Sequence, residues 1–263
     1  MIDTYSSFYY GFTVTAQPYN GSINIDEGSG EILVQVPVGS YTMSDLASTI
    51  QNALNTQAVN NYQVTLNRNQ RLFIISSDDP FDILTDTGSN ADSAIYDLIG
   101  FSTALDKTGQ TSYSGDFPSG KVYKTQFPLQ SYVSKDDFQQ GNLATKNVAS
   151  DGTTVEVVRF GLAKFIEMDI KFITSRNDIA DGNVIKKNNR GLEDAREFLQ
   201  FITRLNPFEF MPDLNQAGDF EKVVLENYPG FNDGTGYRLR ELFGQNLRDV
   251  YETGIIRLRV LEN

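Results

Sequence analysis

The chain has 263 residues, enough for one large domain or two ordinary ones with a sizeable core. It contains no Cys and no His, which excludes disulfides, thiol nucleophiles, His-based triads and zinc sites of the usual nitrogen–sulfur type, and leaves any acid–base work to carboxylates, Lys or Tyr. The formal charge is -12: residues 1–150 carry 7 basic and 15 acidic side chains (-8) and residues 151–263 carry 15 and 19 (-4), so both halves repel a phosphate backbone and stable nucleic-acid binding is not expected.

The opening MIDTYSSFYYGF has neither the basic segment nor the apolar core of a secretory leader, and no run approaches the roughly 18 apolar residues of a membrane span. Its aromatics, Tyr5, Phe8, Tyr9, Tyr10, Phe12 and Tyr19, fit either a core strand of the same chain or an arm docked on a neighbouring subunit. Residues 22–37 read as two strands about a Gly28-Ser29-Gly30 turn. Thr42 then caps a helix with Asp45 in its first turn, and Met43, Leu46, Ala47, Ile50, Ala53 and Leu54 make one apolar stripe. The Asn- and Gln-rich segment that follows is expected to end the helix. Tyr62, Val64 and Leu66 alternate with polar residues, Arg68-Asn69-Gln70 turns, and residues 72–75 return as a hairpin partner. Residues 81–84 predict a third short strand. Ser89 or Asn90 is expected to cap a short helix with Ala91, Ala94, Ile95, Leu98 and Ile99 inward, stopped by Gly100.

Residues 102–152 are polar with short apolar runs and are expected to be a long loop, or an arm that orders on assembly, with a weak strand signal over 122–133. The second half opens with a strand near Val155, Val157 and Phe160. Ile166, Met168, Ile170 and Phe172 then alternate with a mostly charged face. A helix is expected over 192–203 with Leu192, Ala195, Phe198, Leu199 and Ile202 on one side, ended by Asn206-Pro207. Strands follow at 208–211, 222–226, 237–242 and 255–261. The fold class is thus α+β and β-rich: antiparallel sheets, sandwich or barrel-like, with a few short helices packed on them. The expected division is an α+β module at 1–101, a polar loop or arm at 102–152, and a β-rich domain with one helix at 153–263.

Four groups invite a chemical reading. Asp78-Asp79 and Asp136-Asp137 are adjacent carboxylates in turn-like sequence, whose side chains point different ways and do not make an acid–base couple. Asn232-Asp233-Gly234-Thr235-Gly236 fits neither a calcium loop nor a phosphate loop and reads as a tight turn. The basic cluster at 185–191 reads as a solvated loop, with Lys186 and Arg190 near Glu193 and Glu197. Arg257 and Arg259 occupy one face of the terminal strand, where they would pair acidic groups of a next subunit if that face is an edge or a lumen. No catalytic residue, metal site or cofactor is expected.

The segments FEFMPD (208–213), FEKVVLENYPG (220–230), DGTGYRLRELFGQNLRDVYETG (233–254) and IIRLRVLE (255–262) resemble structural proteins of tailed-bacteriophage virions. The series YTMSDLASTIQNALN (41–55), YQVTLNRNQRLFIISSD (62–78) and IYDLIGFS (95–102) is similar to a module of virion proteins of large DNA viruses and phages. The resemblance implies a non-enzymatic subunit of a tail tube, distal tail or baseplate, located in the virion. Its partners would be identical copies in a homo-oligomeric ring and other virion proteins, with DNA passing through an acidic lumen without stable binding and with no membrane contact. A minor capsid or head-decoration protein is the alternative. A flagellar hook-associated type is more remote, since its heptad-patterned terminal helices are absent. The expected contact surfaces are the aromatic arm, residues 102–152 and the terminal strand.

Overall fold

The computed structural model describes residues 6–125, 131–137, 145–148, 154–157, 163–174, 191–212, 220–226, 239–241 and 249–261. Two units fold within the chain. The first comprises Phe8–Tyr123 and Asn206–Glu209, the second Met1–Ser7, Lys124–Leu205 and Phe210–Asn263.

The first unit is built from β1 (Ser7–Tyr10), β2 (Phe12–Val14), β3 (Ser22–Asp26), β4 (Glu31–Gln35), β5 (Gly39–Tyr41), α1 (Met43–Gln57), β6 (Tyr62–Asn67), β7 (Leu72–Ile83), α2 (Tyr96–Ile99), β8 (Lys107–Ser114) and β9 (Lys121–Lys124). Its main sheet runs β4-β3-β7-β6, with β8 also paired to β7, and every one of these ladders is antiparallel. Helix α1 forms where its cap and stripe predict. Thr42 Oγ1 accepts the Asp45 N–H (3.1 Å), and all six stripe residues are buried against Ile23, Ile25, Val34, Phe73 and Ile75. It ends within the amide-rich segment, as expected: Asn55, Thr56 and Gln57 complete it, and the Ala58 N–H closes the last turn on Leu54 O.

The N-terminal aromatics belong to the core of their own chain. β1 is buried along its length, and Phe12 is 1% exposed. The Phe8 ring stacks on Tyr123 (5.8 Å) and Phe12 packs on Phe73 (6.1 Å). Tyr19 is half-buried and donates its hydroxyl to Val36 O, and Tyr5 lies outside the described residues.

Three expectations in this unit are corrected. The strand expected at 81–84 is not separate: β7 runs through Asp78-Asp79-Pro80 to Ile83 and absorbs the break as register shifts against β8. The helix expected after Asn90 is split into a 3₁₀ turn at Ala91–Ser93 and the four residues of α2. The cause is tertiary: the Ile95 N–H donates to Ser22 O (3.0 Å), and the buried Tyr96 hydroxyl bonds the backbone of Asn24, which pulls Ala94 into an extended conformation (ψ 153°). Gly100 does end α2, at φ +83°, where a Cβ would meet Phe117 O at 2.1 Å. Third, residues 107–114, read as loop, form β8. Five of its eight residues in succession are exposed, so hydrophobic alternation could not reveal it.

The second unit contains β10 (Ser131–Asp137), β11 (Thr145–Val148), β12 (Thr154–Val157), β13 (Ala163–Asp169), β14 (Ile173–Thr174), α3 (Gly191–Thr203), β15 (Phe208–Met211, which begins in the first unit), β16 (Glu221–Leu225), β17 (Arg240–Glu241), β18 (Val250–Glu252) and β19 (Ile255–Val260). β10, β13, β19 and β16 lie side by side in antiparallel register. β14-β18-β17 form a second small sheet, β11 pairs β12, and α3 packs on β14 and β16 through Ala195, Phe198, Leu199 and Ile202. The alternation expected to continue through Phe172 breaks at Asp169. β13 ends there, Phe172 takes φ +58°, and Phe165 and Asp169 are buried on the face read as mostly charged. The architecture is α+β and β-rich, with several antiparallel sheets and three short α-helices among the described residues.

Candidate assembly surfaces

Sheet edges expose unpaired backbone groups and invite other chains to pair with them. In the first unit two edges are closed by one helix. On β6, the Asn55 side chain accepts the Tyr62 N–H (2.6 Å) and donates to Tyr62 O (3.0 Å), while Gln51 accepts the Val64 N–H (3.0 Å). On β4, Gln57 accepts the Gln35 N–H (3.0 Å) and donates to Gln35 O (3.3 Å). The amide side chains of α1 therefore imitate a missing strand on both sides. Gln51 and Asn55 are four residues apart and share a helix face, which is why both reach β6.

β8 is treated differently. Gly115 N–H donates to Phe73 O (2.9 Å), directly beyond the Tyr113–Ile75 pair. Antiparallel ladders alternate, so Tyr113 turns its backbone groups to β7, and Ser112 and Ser114 turn theirs away. No described group bonds those outward amides. In the second unit β10 is the outermost strand beside β13. β8 and β10 have eight and seven residues, against four in β9, which is also outermost.

The acidic side chains of the first unit are largely engaged with loop backbone. Asp106 accepts from the Asp86 and Thr87 N–H groups and the Thr87 hydroxyl. Asp26 holds the Gly28 and Gly30 amides, Glu31 the Ser89 amide, and Glu27 those of Val59 and Asn60 together with the Tyr62 hydroxyl. Burial, followed by the hydrogen bond and charge of Glu27, pushes the Tyr62 phenol far up. For Asp106 and Asp116, burial raises the pKa but is outweighed. The Thr87 contacts lower the first, and Lys107 with the Ser102 amide lowers the second, so both carboxyls sit below the usual range.

One carboxylate clamps more than a loop. Glu209 is 3% exposed, accepts the Ser44 N–H (2.9 Å) and hydroxyl (2.5 Å) at the start of α1, and pairs with Arg68 (2.5 Å) of the β6–β7 turn. Sequence reading gave Arg68 only a place in a turn and did not join the three residues, because only folding brings position 209 to positions 44 and 68.

The sequence-predicted groups fall as follows. Asp78 and Asp79 stand within β7, not in a turn. Asp78 accepts the Asn61 side-chain and backbone N–H groups, which together lower its carboxyl. Asp136 and Asp137 end β10, opposite Lys164 and Ala163. Residues 232–236 and 185–190 lie outside the described residues. Arg257 and Arg259 are on β19, which is interior to its sheet. Arg257 lies over the Phe165 ring (4.2 Å) near Glu167, and Arg259 is 3.5 Å from Glu226, so their acidic neighbours are in their own chain. Buried Asp169 and Glu252 flank Lys171 (3.4 and 3.8 Å), and Arg240 bonds Glu252 (2.5 Å), a set of two acids and two bases.

No protein-family model matches this chain, and no curated protein matches it. Among the described residues no cluster of three or more acidic side chains is placed to hold a metal, and no helix is long and apolar enough to cross a membrane. Of the three contact surfaces expected from sequence, the aromatic arm is folded into the core and the terminal strand lies between β13 and β16. Only the 102–152 region presents long outermost strands.

Proposed function

We propose that this chain is a non-enzymatic structural subunit of a tailed-phage virion, assembling with identical copies into a ring of the tail tube, distal tail or baseplate. The observation that carries the reading is the uneven treatment of edges: α1 closes β4 and β6 with side-chain amides, while β8 is left with outward-facing backbone groups. A chain that caps two edges and leaves a long polar one open is suited to strand pairing with another copy. The resemblance of the segments above to phage virion proteins supports the same reading. The net charge of -12 would let DNA slide through a lumen without sticking. Electron microscopy of particles labelled with an antibody against the chain tests it. Gold on tails or baseplates is the expected result. Gold confined to heads would favour the head-decoration alternative, and particles without label would remove the virion reading.

A further inference from the structure

We infer that the open edge of β8 receives β10 of a second copy, so that first and second units join head to tail; this rests on the ring reading above. Three observations converge. A ring needs a heterologous contact between unlike surfaces, and β8 and β10 are the two longest outermost strands left after α1 has sealed β4 and β6.

The hydrogen-bond phases of the two edges also match. Glu226 N–H donates to Arg257 O (2.8 Å), so Arg257 faces β16, and the alternate residues Ile256 and Leu258 face β13. Their partners Met168 and Ile166 face β19, which leaves Phe165, Glu167 and Asp169 facing β10. Ser131, Val133 and Lys135 are opposite those, so Tyr132, Ser134 and Asp136 turn their backbone groups outward. Ser112 of β8, also outward, must then meet an even-numbered residue of β10.

Charge selects among the registers that remain. Ser112 opposite Tyr132 sets Gln110–Tyr113 against residues 131–134, all uncharged, and stops short of the bulge at Gly109 (φ +70°), whereas Ser112 opposite Ser134 sets the charges of Lys135 and Asp136 against uncharged Thr111 and Gln110. An uncharged contact suits copies that each carry -12.

In this register Thr111 faces Val133 at a non-hydrogen-bonded position, with Cα atoms about 4.5 Å apart, inside disulfide range. The chain has no cysteine of its own, so single-cysteine variants report cleanly. Thr111→Cys and Val133→Cys proteins are mixed as monomers, allowed to assemble and mildly oxidised, with sedimentation of the unmodified chain run in parallel. The expected result is a mixed disulfide dimer at least tenfold more abundant than the dimer either variant forms alone. Self-linking of Thr111→Cys at the same level would mean two β8 strands pair symmetrically and would overturn the proposal. Oligomers of the unmodified chain with no mixed disulfide would overturn the pairing and leave the ring intact, whereas monomers at every concentration would remove both. As a second measure, Ser112→Pro deletes an N–H that has no partner among the described residues; it is expected to keep the fold by circular dichroism and to weaken self-association at least tenfold. Unchanged association in that variant would count against β8.

Discussion

Glu209 shows how a single carboxylate can hold distant sequence together. It supplies an anion at the N-terminus of α1, where the helix dipole and the unpaired Ser44 N–H favour one, and its other oxygen takes the Arg68 guanidinium. Glu209→Ala leaves that amide and cation without their acceptor, and a loss of about 2 kcal/mol is expected from charge-assisted bonds of this kind. Urea unfolding checks it, with Glu209→Gln predicted to lose less because an acceptor remains. The loop-holding aspartates set the acid limit of the fold. Asp78, Asp106 and Asp116 all have lowered pKa values in the folded chain, so their contribution is complete above the unfolded carboxyl value near ~3.9 and is lost as pH falls through the lower folded values. Asp106→Asn is therefore expected to weaken the fold at neutral pH and to flatten its pH dependence below about pH 4 in thermal melts. Unchanged acid sensitivity would place the titration elsewhere.

At the scale of elements, α1 carries both the core and the sealing of edges. Its apolar stripe was legible because cap, spacing and first-turn charge all agreed, whereas the amide contacts of Gln51, Asn55 and Gln57 depend on strands that only the tertiary fold brings near. The two roles separate by mutation. Ile50→Ala removes a fully buried side chain and is expected to cost about 2–5 kcal/mol. Asn55→Ala unseals Tyr62 at about 1–2 kcal/mol and should also raise the rate of aggregation, which light scattering would detect. At the end of α2, Gly100→Ala meets both a positive φ and the Phe117 carbonyl at 2.1 Å, and the variant is expected to melt well below the parent in calorimetry. The split before α2 was not legible, since the pull on Ile95 comes from Ser22, more than seventy positions earlier. β8 escaped for the opposite reason: residues 108–112 are exposed on both faces and carry no periodic signal, and Tyr113 alone reaches the core.

For the whole molecule, fold class followed from alternation and stripe, which are local properties. The surfaces for assembly did not, because an open edge is defined by which partners are missing. Excess negative charge opposes contact between copies and is screened by salt over a Debye length of about 8 Å at physiological ionic strength. Self-association is accordingly expected to strengthen between low and moderate salt in sedimentation experiments. Weakening instead would mean that attraction between opposite charges of neighbouring copies outweighs the general repulsion. The double seal made by α1 has a further consequence for motion. The amides of Gln35, Tyr62 and Val64 lie on two strands that do not pair with each other, yet all three are shielded by the same helix. In hydrogen–deuterium exchange they should open together whenever α1 lifts away, as one cooperative unit, while the inner strands stay closed.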